Sequence, residues 1–222
     1  MNIVTIGLGN FGASLAKILT AMGHDVLGVD INNDKVEFFK DKITNTICLD
    51  AADPHALRML PLKEADVFVV CISDDFGVSI KIAALLKKFG VKQLLSRESS
   101  TIHLEVLHSI GVSKTINPEY EWAKILSLKL TLPGVENLFS ISESLKIIDL
   151  KVPKEYIGEA TSPQAFKEDT HLEIVALKRN DKIIYSTSRL SETQDLKEIV
   201  FTENDILVLA GEMKDIHRFL KV

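Results

Sequence analysis

The stretch Asn2-Ile-Val-Thr-Ile-Gly-Leu-Gly-Asn-Phe-Gly12 gives the first structural prediction for this chain. Its first five residues are typical of a β-strand, and the three glycines follow in a G-x-G-x-x-G pattern. A helical pattern then runs from Phe11 to Met22, and an acidic residue, Asp30, ends the next strand 18 positions after Gly12. Strand, glycine loop, helix and acid in this register predict a dinucleotide-binding βαβ unit rather than a glycine turn without a ligand.

Each glycine of the loop has its own expected role. Gly7 permits the tight turn, Gly9 lets the backbone approach a phosphate, and Gly12 lets the helix pack closely on the strand. Free N–H groups at the start of the helix would hold the phosphates. The candidate cofactor-binding residues in this loop are Gly7, Gly9, Asn10, Phe11 and Gly12.

Further candidates follow the later strands. Asp30 is expected to accept hydrogen bonds from ribose hydroxyls, and its charge disfavours the 2′-phosphate of NADP. Asp50 could accept a hydrogen bond from an adenine amino group, whereas Asp53 is a better helix cap. Ser73 ends the fourth strand, where ligands bind in open α/β sheets. The candidates at these strand ends are Asp30, Ile31, Asp50, Ala51 and Ser73.

Strands and helices alternate as far as residue 116, which predicts an α/β fold with a Rossmann-like parallel sheet of six strands. The alternation ends at Asn117-Pro118, and one longer helix follows, stopped by Pro133-Gly134. Beyond it, strands are predicted at 145–152, 172–178, 182–185 and 205–209, with a hairpin turn at Asn180-Asp181 and a closing helix at 212–220. We therefore expect a nucleotide-binding domain over 1–134, whose last part (about 118–134) is a crossover helix, and a small α+β domain over 135–222.

Composition limits the class of protein. The chain has 222 residues, of which 46% are hydrophobic and 26% charged, so disorder is excluded. Its net charge of −5 argues against a nucleic-acid partner. The longest apolar run, Val67–Ile72, is far shorter than the roughly 20 residues of a membrane span, and no secretory leader is expected. Cys48 and Cys71 both stand in apolar runs and are expected to be buried, reduced thiols in a cytosolic protein.

The sequence offers little catalytic equipment. Tyr120 and Lys124 form a Y-x-x-x-K pair on one helix face, which leaves an NAD-dependent oxidoreductase as the alternative function. The same stretch is more typical of packing through Trp122 and its apolar neighbours. No nucleophile elbow, P-loop lysine motif or cysteine cluster is present. We expect a nucleotide sensor rather than an enzyme, with a ligand-free structural adaptor as a third possibility.

These motifs carry a resemblance over roughly residues 1–222. The chain resembles an RCK (regulator of K+ conductance) protein of the Trk/Ktr type, with an RCK N-terminal lobe, a crossover helix and an RCK C-terminal lobe. The matching segments are 6–12, 28–30, 49–53, 69–72, the Pro-Glu segment 110–119, and the C-terminal segments 205–211 and 215–219.

The resemblance implies a cytoplasmic regulatory subunit that docks on a membrane K+ transporter subunit of the TrkH or KtrB kind, at the inner face of the plasma membrane. Such proteins form homodimers that assemble into octameric rings. An adenine nucleotide (ATP, ADP or AMP, or NAD(H)) binds the N-terminal lobes and changes the shape of the ring. Several bacterial members also bind cyclic di-AMP between paired C-terminal lobes.

The resemblance also implies roles for two charged residues. Arg97 falls where the family often has a basic residue near the phosphates; the alternative is an ion pair with Glu98. Glu119 matches a glutamate near the terminal phosphate at the dimer interface, where it could bind a divalent cation (Mg²⁺ or Ca²⁺); the alternative is an acid at a helix N-terminus. Asn10 replaces an arginine of the family's loop, which leaves the preference among nucleotides open. Residues expected on an exposed apolar face of the crossover helix are Trp122, Ile125, Leu126 and Leu130.

Overall fold

A parallel sheet of six strands forms the centre of the first half of the chain. The computed structural model describes residues 1–112, 114–187 and 198–221, which divide into the units Met1–Glu119 and Tyr120–Val222. The strands of the first unit are β1 (Asn2–Ile6), β2 (Asp25–Asp30), β3 (Asn45–Cys48), β4 (Val67–Val70), β5 (Leu94–Arg97) and β6 (Lys114–Ile116). Their order is β3-β2-β1-β4-β5-β6 and every pair is parallel, so the predicted fold class is confirmed.

Helices connect these strands and cover the sheet. They are α1 (Asn10–Ala21), α2 (Asn33–Phe39), α3 (Pro54–Leu57), α4 (Phe76–Phe89) and α5 (Thr101–Ser109). Asn32 and Asp53 cap α2 and α3 through their side chains, as predicted. Gly90 ends α4 in the left-handed conformation, with φ of 69°. Strand β4 is buried along its whole length, as its continuous apolar sequence predicts for a central strand.

The two cysteines differ in environment. Cys71 is buried beside β4, as expected, but Cys48 is exposed, so the prediction that both thiols are buried is wrong. The reason is that Cys48 ends β3, which lies at the edge of the sheet and has no neighbouring strand on its outer side.

The second unit contains an antiparallel sheet of five strands in the order β11-β10-β13-β8-β7. Its strands are β7 (Val135–Ser140), β8 (Leu145–Lys151), β10 (Glu173–Arg179), β11 (Lys182–Ser186) and β13 (Asp205–Glu212). The short strands β9 (Ala160–Thr161) and β12 (Ile199–Val200) pair separately. The helices are α6 (Pro118–Thr131), a 3-10 turn (Lys154–Tyr156), α7 (Pro163–Thr170) and α8 (Met213–Leu220).

The hairpin turn predicted at Asn180-Asp181 joins β10 to β11, and both residues have positive φ. Strand β7 and helix α7 are additions that the sequence patterns did not indicate. Ser113, predicted to start the sixth strand, lies outside the described residues, as do residues 188–197.

Helix α6 has two different sides. Leu132, just after the helix, is buried in the core of the second unit, and Leu128 packs against that core. Most of α6 thus belongs to the second unit, which begins at Tyr120. The sequence instead places the domain boundary after residue 134. No residue within α6 is buried, and Trp122 and Leu130 are 67% and 77% exposed. No helix in the described part of the chain is both long and apolar enough to span a bilayer.

Candidate nucleotide site

The candidate residues of the first unit lie along one edge of its sheet. All six strands are parallel, so their carboxyl ends meet at the same edge, and each candidate ends a strand or follows one. The strand order reverses between β1 and β4, which are neighbours in space but are separated in sequence by two strands. Open α/β sheets bind ligands in the crevice at such a reversal. The glycine loop after β1 and the segment after β4 border this crevice.

The glycine loop follows the predicted geometry. Gly7 has φ of 98°, which favours glycine, and its N–H donates to the carbonyl of Val29 at 2.7 Å. A Cβ on Gly12 would lie 1.9 Å from the carbonyl oxygen of Gly7 and 2.9 Å from the Cβ of Cys71. A Cβ on Gly9 would meet no atom within 4 Å. Packing therefore requires glycine at position 12, while Gly9 leaves open space over the start of the helix.

The start of α1 lacks a side-chain cap. Helices α2, α3, α4 and α5 are each preceded by an Asn, Asp or Ser side chain that accepts a backbone N–H, but α1 is preceded by Gly9, with no such bond and no acid in its first turn. The first N–H groups of a helix have no partner within the helix, and the helix dipole adds positive potential there. An anion such as phosphate fits this helix start.

Asp30 is held against the loop. Its side chain is 7% exposed; one carboxylate oxygen accepts the N–H of Leu8 at 2.7 Å, and the other accepts the N–H of Asn32 at 2.9 Å. Lys35 of α2 places its Nζ 3.6 Å from the same carboxylate, a neighbour that the sequence patterns did not single out. The carboxylate therefore positions the loop, and a substitution at this residue would disturb the loop along with any ribose contact.

The other strand-end candidates lie at the same edge. Ile31 is 68% exposed immediately after β2. Asp50 accepts the N–H of Ala52 at 2.9 Å in a local turn, and Ala51 is buried. The hydroxyl of Ser73 lies 2.9 Å from the carboxylate of Asp74. Their proposed contacts with a ligand remain predictions.

Arg97 pairs with a different acid from the one considered in the sequence. Its guanidinium forms an ion pair with Glu119, at the first turn of α6, and not with Glu98, whose carboxylate accepts the side-chain amide of Asn117 at 3.2 Å. The Cζ of Arg97 also lies 5.9 Å from the centre of the Phe11 ring. Arg97, Glu119 and the glycine loop are thus brought together although they are far apart in sequence.

Two buried groups near the site are uncharged at neutral pH. Burial raises the pKa of the Cys71 thiol to about 12, with the nearby charge of Arg97 acting in the opposite direction. The thiol is therefore protonated and is a weak nucleophile. Burial lowers the pKa of His103, opposed by the charge of Glu98, and the ring lies edge-on to Phe76. Both groups belong to the supporting core of the site.

Glu119 is the residue assigned to a divalent cation. Within the described ranges, no group of three or more His, Cys, Asp or Glu residues could hold a metal ion. A cation at Glu119 would therefore need most of its ligands from a bound phosphate and water, as Mg²⁺ commonly takes.

Tyr120 and Lys124, the pair considered for an oxidoreductase, lie on α6, where the Tyr120 side chain is 63% exposed. A proton donor is useful only within hydrogen-bond reach of its substrate, and this geometry adds no support for that role.

The fold and the loop define an α/β protein of the Rossmann type. The family model of the TrkA-N domain matches residues 3–118, and the chain belongs to this family. It is similar to the Ktr system potassium uptake protein C of Bacillus subtilis (28% identical over 216 residues, 97% of this chain and 94% of the relative). It is also similar to the Ktr system potassium uptake protein A of Vibrio alginolyticus (25% identical, 95% and 96% covered).

Solved structures share the fold over nearly the whole chain. The GsuK channel bound to NAD aligns with 98% of this chain at a TM-score of 0.65 and 17% identity, and the GsuK RCK domain aligns with 99% at 0.65 and 18%. This chain spans 38% and 47% of the length of those two chains. The RCK architecture expected from the sequence is thereby confirmed.

Proposed function

We propose that this chain is a nucleotide-sensing regulatory subunit of a bacterial potassium uptake system. The similarity to Ktr potassium uptake proteins covers nearly the full length of both chains, which supports the transport system. Nucleotide binding is supported by one observation: the start of α1 has no side-chain cap and lies beside the open space at Gly9 and the buried carboxylate of Asp30. The subunit acts at the cytoplasmic side of the membrane by binding a membrane K+ transporter subunit.

The ligand of the site is an adenine nucleotide: ATP, ADP or AMP, or NAD(H). A buried carboxylate at the end of β2 favours ribose hydroxyls over a 2′-phosphate. A channel of the same fold is described as bound to NAD, so the fold accommodates a dinucleotide. Asn10 places no charge in the loop, and Arg97 supplies a cation beside it. A divalent cation between Glu119 and the phosphates is a further part of the proposal.

The mechanism is a change in assembly shape. A ligand moves such an equilibrium only when it binds the two shapes with different affinity. We assign the assembly to homodimers that form an octameric ring, and the exposed apolar side chains of α6 are candidates for its contacts. Cyclic di-AMP between paired second units is a separate regulatory ligand to be tested.

Native mass spectrometry of the full chain tests the proposal. The protein is measured alone and with ADP, ATP, AMP, NAD, NADH or cyclic di-AMP, and calorimetry supplies the affinities. The expected result is an octamer that retains one adenine nucleotide per chain, with no turnover of NADH. A monomer that binds none of these ligands would contradict the proposal. Hydride transfer that is lost in Tyr120→Phe would favour the oxidoreductase instead.

A further inference from the structure

Arg97 is a largely buried cation whose partner is exposed. The Arg97 side chain is 13% exposed, whereas the side chain of Glu119 is 64% exposed. Within the described residues, the Nε atom of Arg97 is buried and has no hydrogen-bond partner. One end of the guanidinium is thus paired with a carboxylate that reaches in from solvent, and one donor remains unused.

This cation borders the glycine loop. Its Cζ lies 5.9 Å from the ring centre of Phe11, the second residue of α1. Its charge also acts on the thiol of Cys71, against which Gly12 packs closely. Arg97 therefore lies at the edge of the crevice in which the phosphates of a ligand would bind.

A buried guanidinium requires an anion, because an unpaired buried charge is strongly unfavourable. Two anions compete for it: the carboxylate of Glu119 and a phosphate of the ligand. The exposed carboxylate recovers its hydration when it leaves, which offsets part of the loss of its ion pair with Arg97. A phosphate carries more charge and offers oxygens for two parallel hydrogen bonds. Exchange of the carboxylate for a phosphate is therefore favourable.

We propose that Glu119 is an internal competitor for the phosphate end of the nucleotide. In the absence of ligand, the carboxylate neutralises Arg97; a bound phosphate displaces it, and the freed carboxylate is then available to the proposed divalent cation. Glu119 thereby sets the threshold affinity for ligands with a terminal phosphate and leaves the affinity for a bare nucleoside unchanged. This inference rests on the proposed adenine-nucleotide site and assigns its specificity to one ion pair.

Calorimetry of the full-length protein in EDTA tests the exchange, with ADP and adenosine as the probes. Glu119→Gln keeps the shape of the side chain and removes its charge. We expect it to bind ADP about tenfold more tightly than the wild type, with unchanged affinity for adenosine. Glu121→Gln, at an exposed position two residues along the same helix, is the matched control and should leave both affinities unchanged. Equal or weaker ADP binding by Glu119→Gln overturns the exchange.

A double-mutant cycle tests whether the effect passes through Arg97. Arg97→Gln should weaken ADP binding, and in this background Glu119→Gln should no longer improve it. A gain that persists without Arg97 contradicts the mechanism, since the carboxylate would then act by general repulsion. If Arg97→Gln does not fold, Arg97→Met, which keeps the apolar part of the side chain and removes its charge, takes its place in the cycle. A wild type that binds neither ADP nor adenosine refutes the nucleotide site itself, whereas binding without the Glu119 effect refutes only the exchange.

Discussion

Gly9 and Gly12, at the start of α1, are expected to have different roles: Gly12 is needed for packing and Gly9 for ligand binding. Gly9 has φ of −72°, which any residue adopts, and open space around its Cβ direction. A Cβ on Gly12, in contrast, would lie only 1.9 Å from the carbonyl oxygen of Gly7. We expect Gly12→Ala to lower the free energy of unfolding by about 1–3 kcal/mol, as overpacking does.

Gly9→Ala should fold with nearly unchanged stability but bind ADP much more weakly, because its methyl group fills the space of a phosphate. Denaturant unfolding and calorimetry on both variants check this pair of outcomes. Equal stability of the two variants would contradict the packing argument, and full ADP affinity in Gly9→Ala would contradict the placement of the phosphate.

His103 gives the first unit a predictable pH dependence. Its side chain is fully buried, its Nδ1 accepts the N–H of Ser99 at 3.2 Å, and burial lowers its pKa below the ordinary value of 6.5. Below pH ~6.5 the unfolded chain therefore binds a proton that the folded chain does not, and stability falls as the pH falls.

Denaturant unfolding at pH 7.5 and 5.5 should show this loss, and His103→Gln, which cannot titrate, should reduce it. His108→Gln, at an exposed position on the same helix, serves as the control and should keep the wild-type loss. An unchanged pH dependence in His103→Gln would show that other groups cause it.

Local sequence patterns identify the loop but not the pairing of Arg97. The glycine spacing and Asp30 are recognisable because neighbours in sequence form one βαβ unit. Arg97 and Glu119 are 22 positions apart and meet only because β5 and β6 are adjacent, with parallel carboxyl ends. Sequence reasoning considered Glu98, the adjacent acid, since side-chain contacts across strands leave no signal in one sequence.

At the scale of elements, the predictions succeed where periodicity is strong. The strands and helices of the first unit match their apolar patterns, but β7 and α7 were not predicted. Strand β7 has a bulge between Val135 and Asn137, which interrupts the alternation that identifies a strand. Helix α7 is short and polar, with Phe166 as its buried residue, so it shows no apolar stripe.

The exposed apolar face of helix α6 is expected to form contacts between copies of the chain. Leu126 and Leu130 are 54% and 77% exposed and lie one turn apart on the same face. Replacing both with Glu should leave the fold intact, because exposed substitutions change stability by about 0.5 kcal/mol or less. The native mass should nevertheless fall to that of smaller species, since the proposed contacts between copies are lost.

Lys124→Glu provides the comparison, because its position is about 200° around the helix from Leu126. It should keep the wild-type mass. An unchanged mass in the double Leu variant would exclude this face from the assembly.

In the whole molecule, all the candidate nucleotide-binding residues lie in the first unit. Its six parallel strands bring their carboxyl ends, and every candidate residue that follows them, to one edge. The second unit has its own core, to which 14 of its described residues contribute buried side chains around β8, β10 and β13. A bound ligand should therefore first change the environment of backbone groups at the edge of the first sheet. Any change in the second unit should follow from a change in the assembly of the copies.

Hydrogen exchange on the full chain can locate that first response. The N–H groups of Asn10, Phe11 and Gly12 have no partner within α1, so they should exchange quickly alone and slowly with ADP. Central strands β10 and β13 should be protected equally with and without ligand, because their hydrogen bonds are already buried in the second core. Gly9→Ala with ADP should retain the fast exchange at 10–12. Slowing confined to residues beyond 134 would instead place the ligand on the second unit.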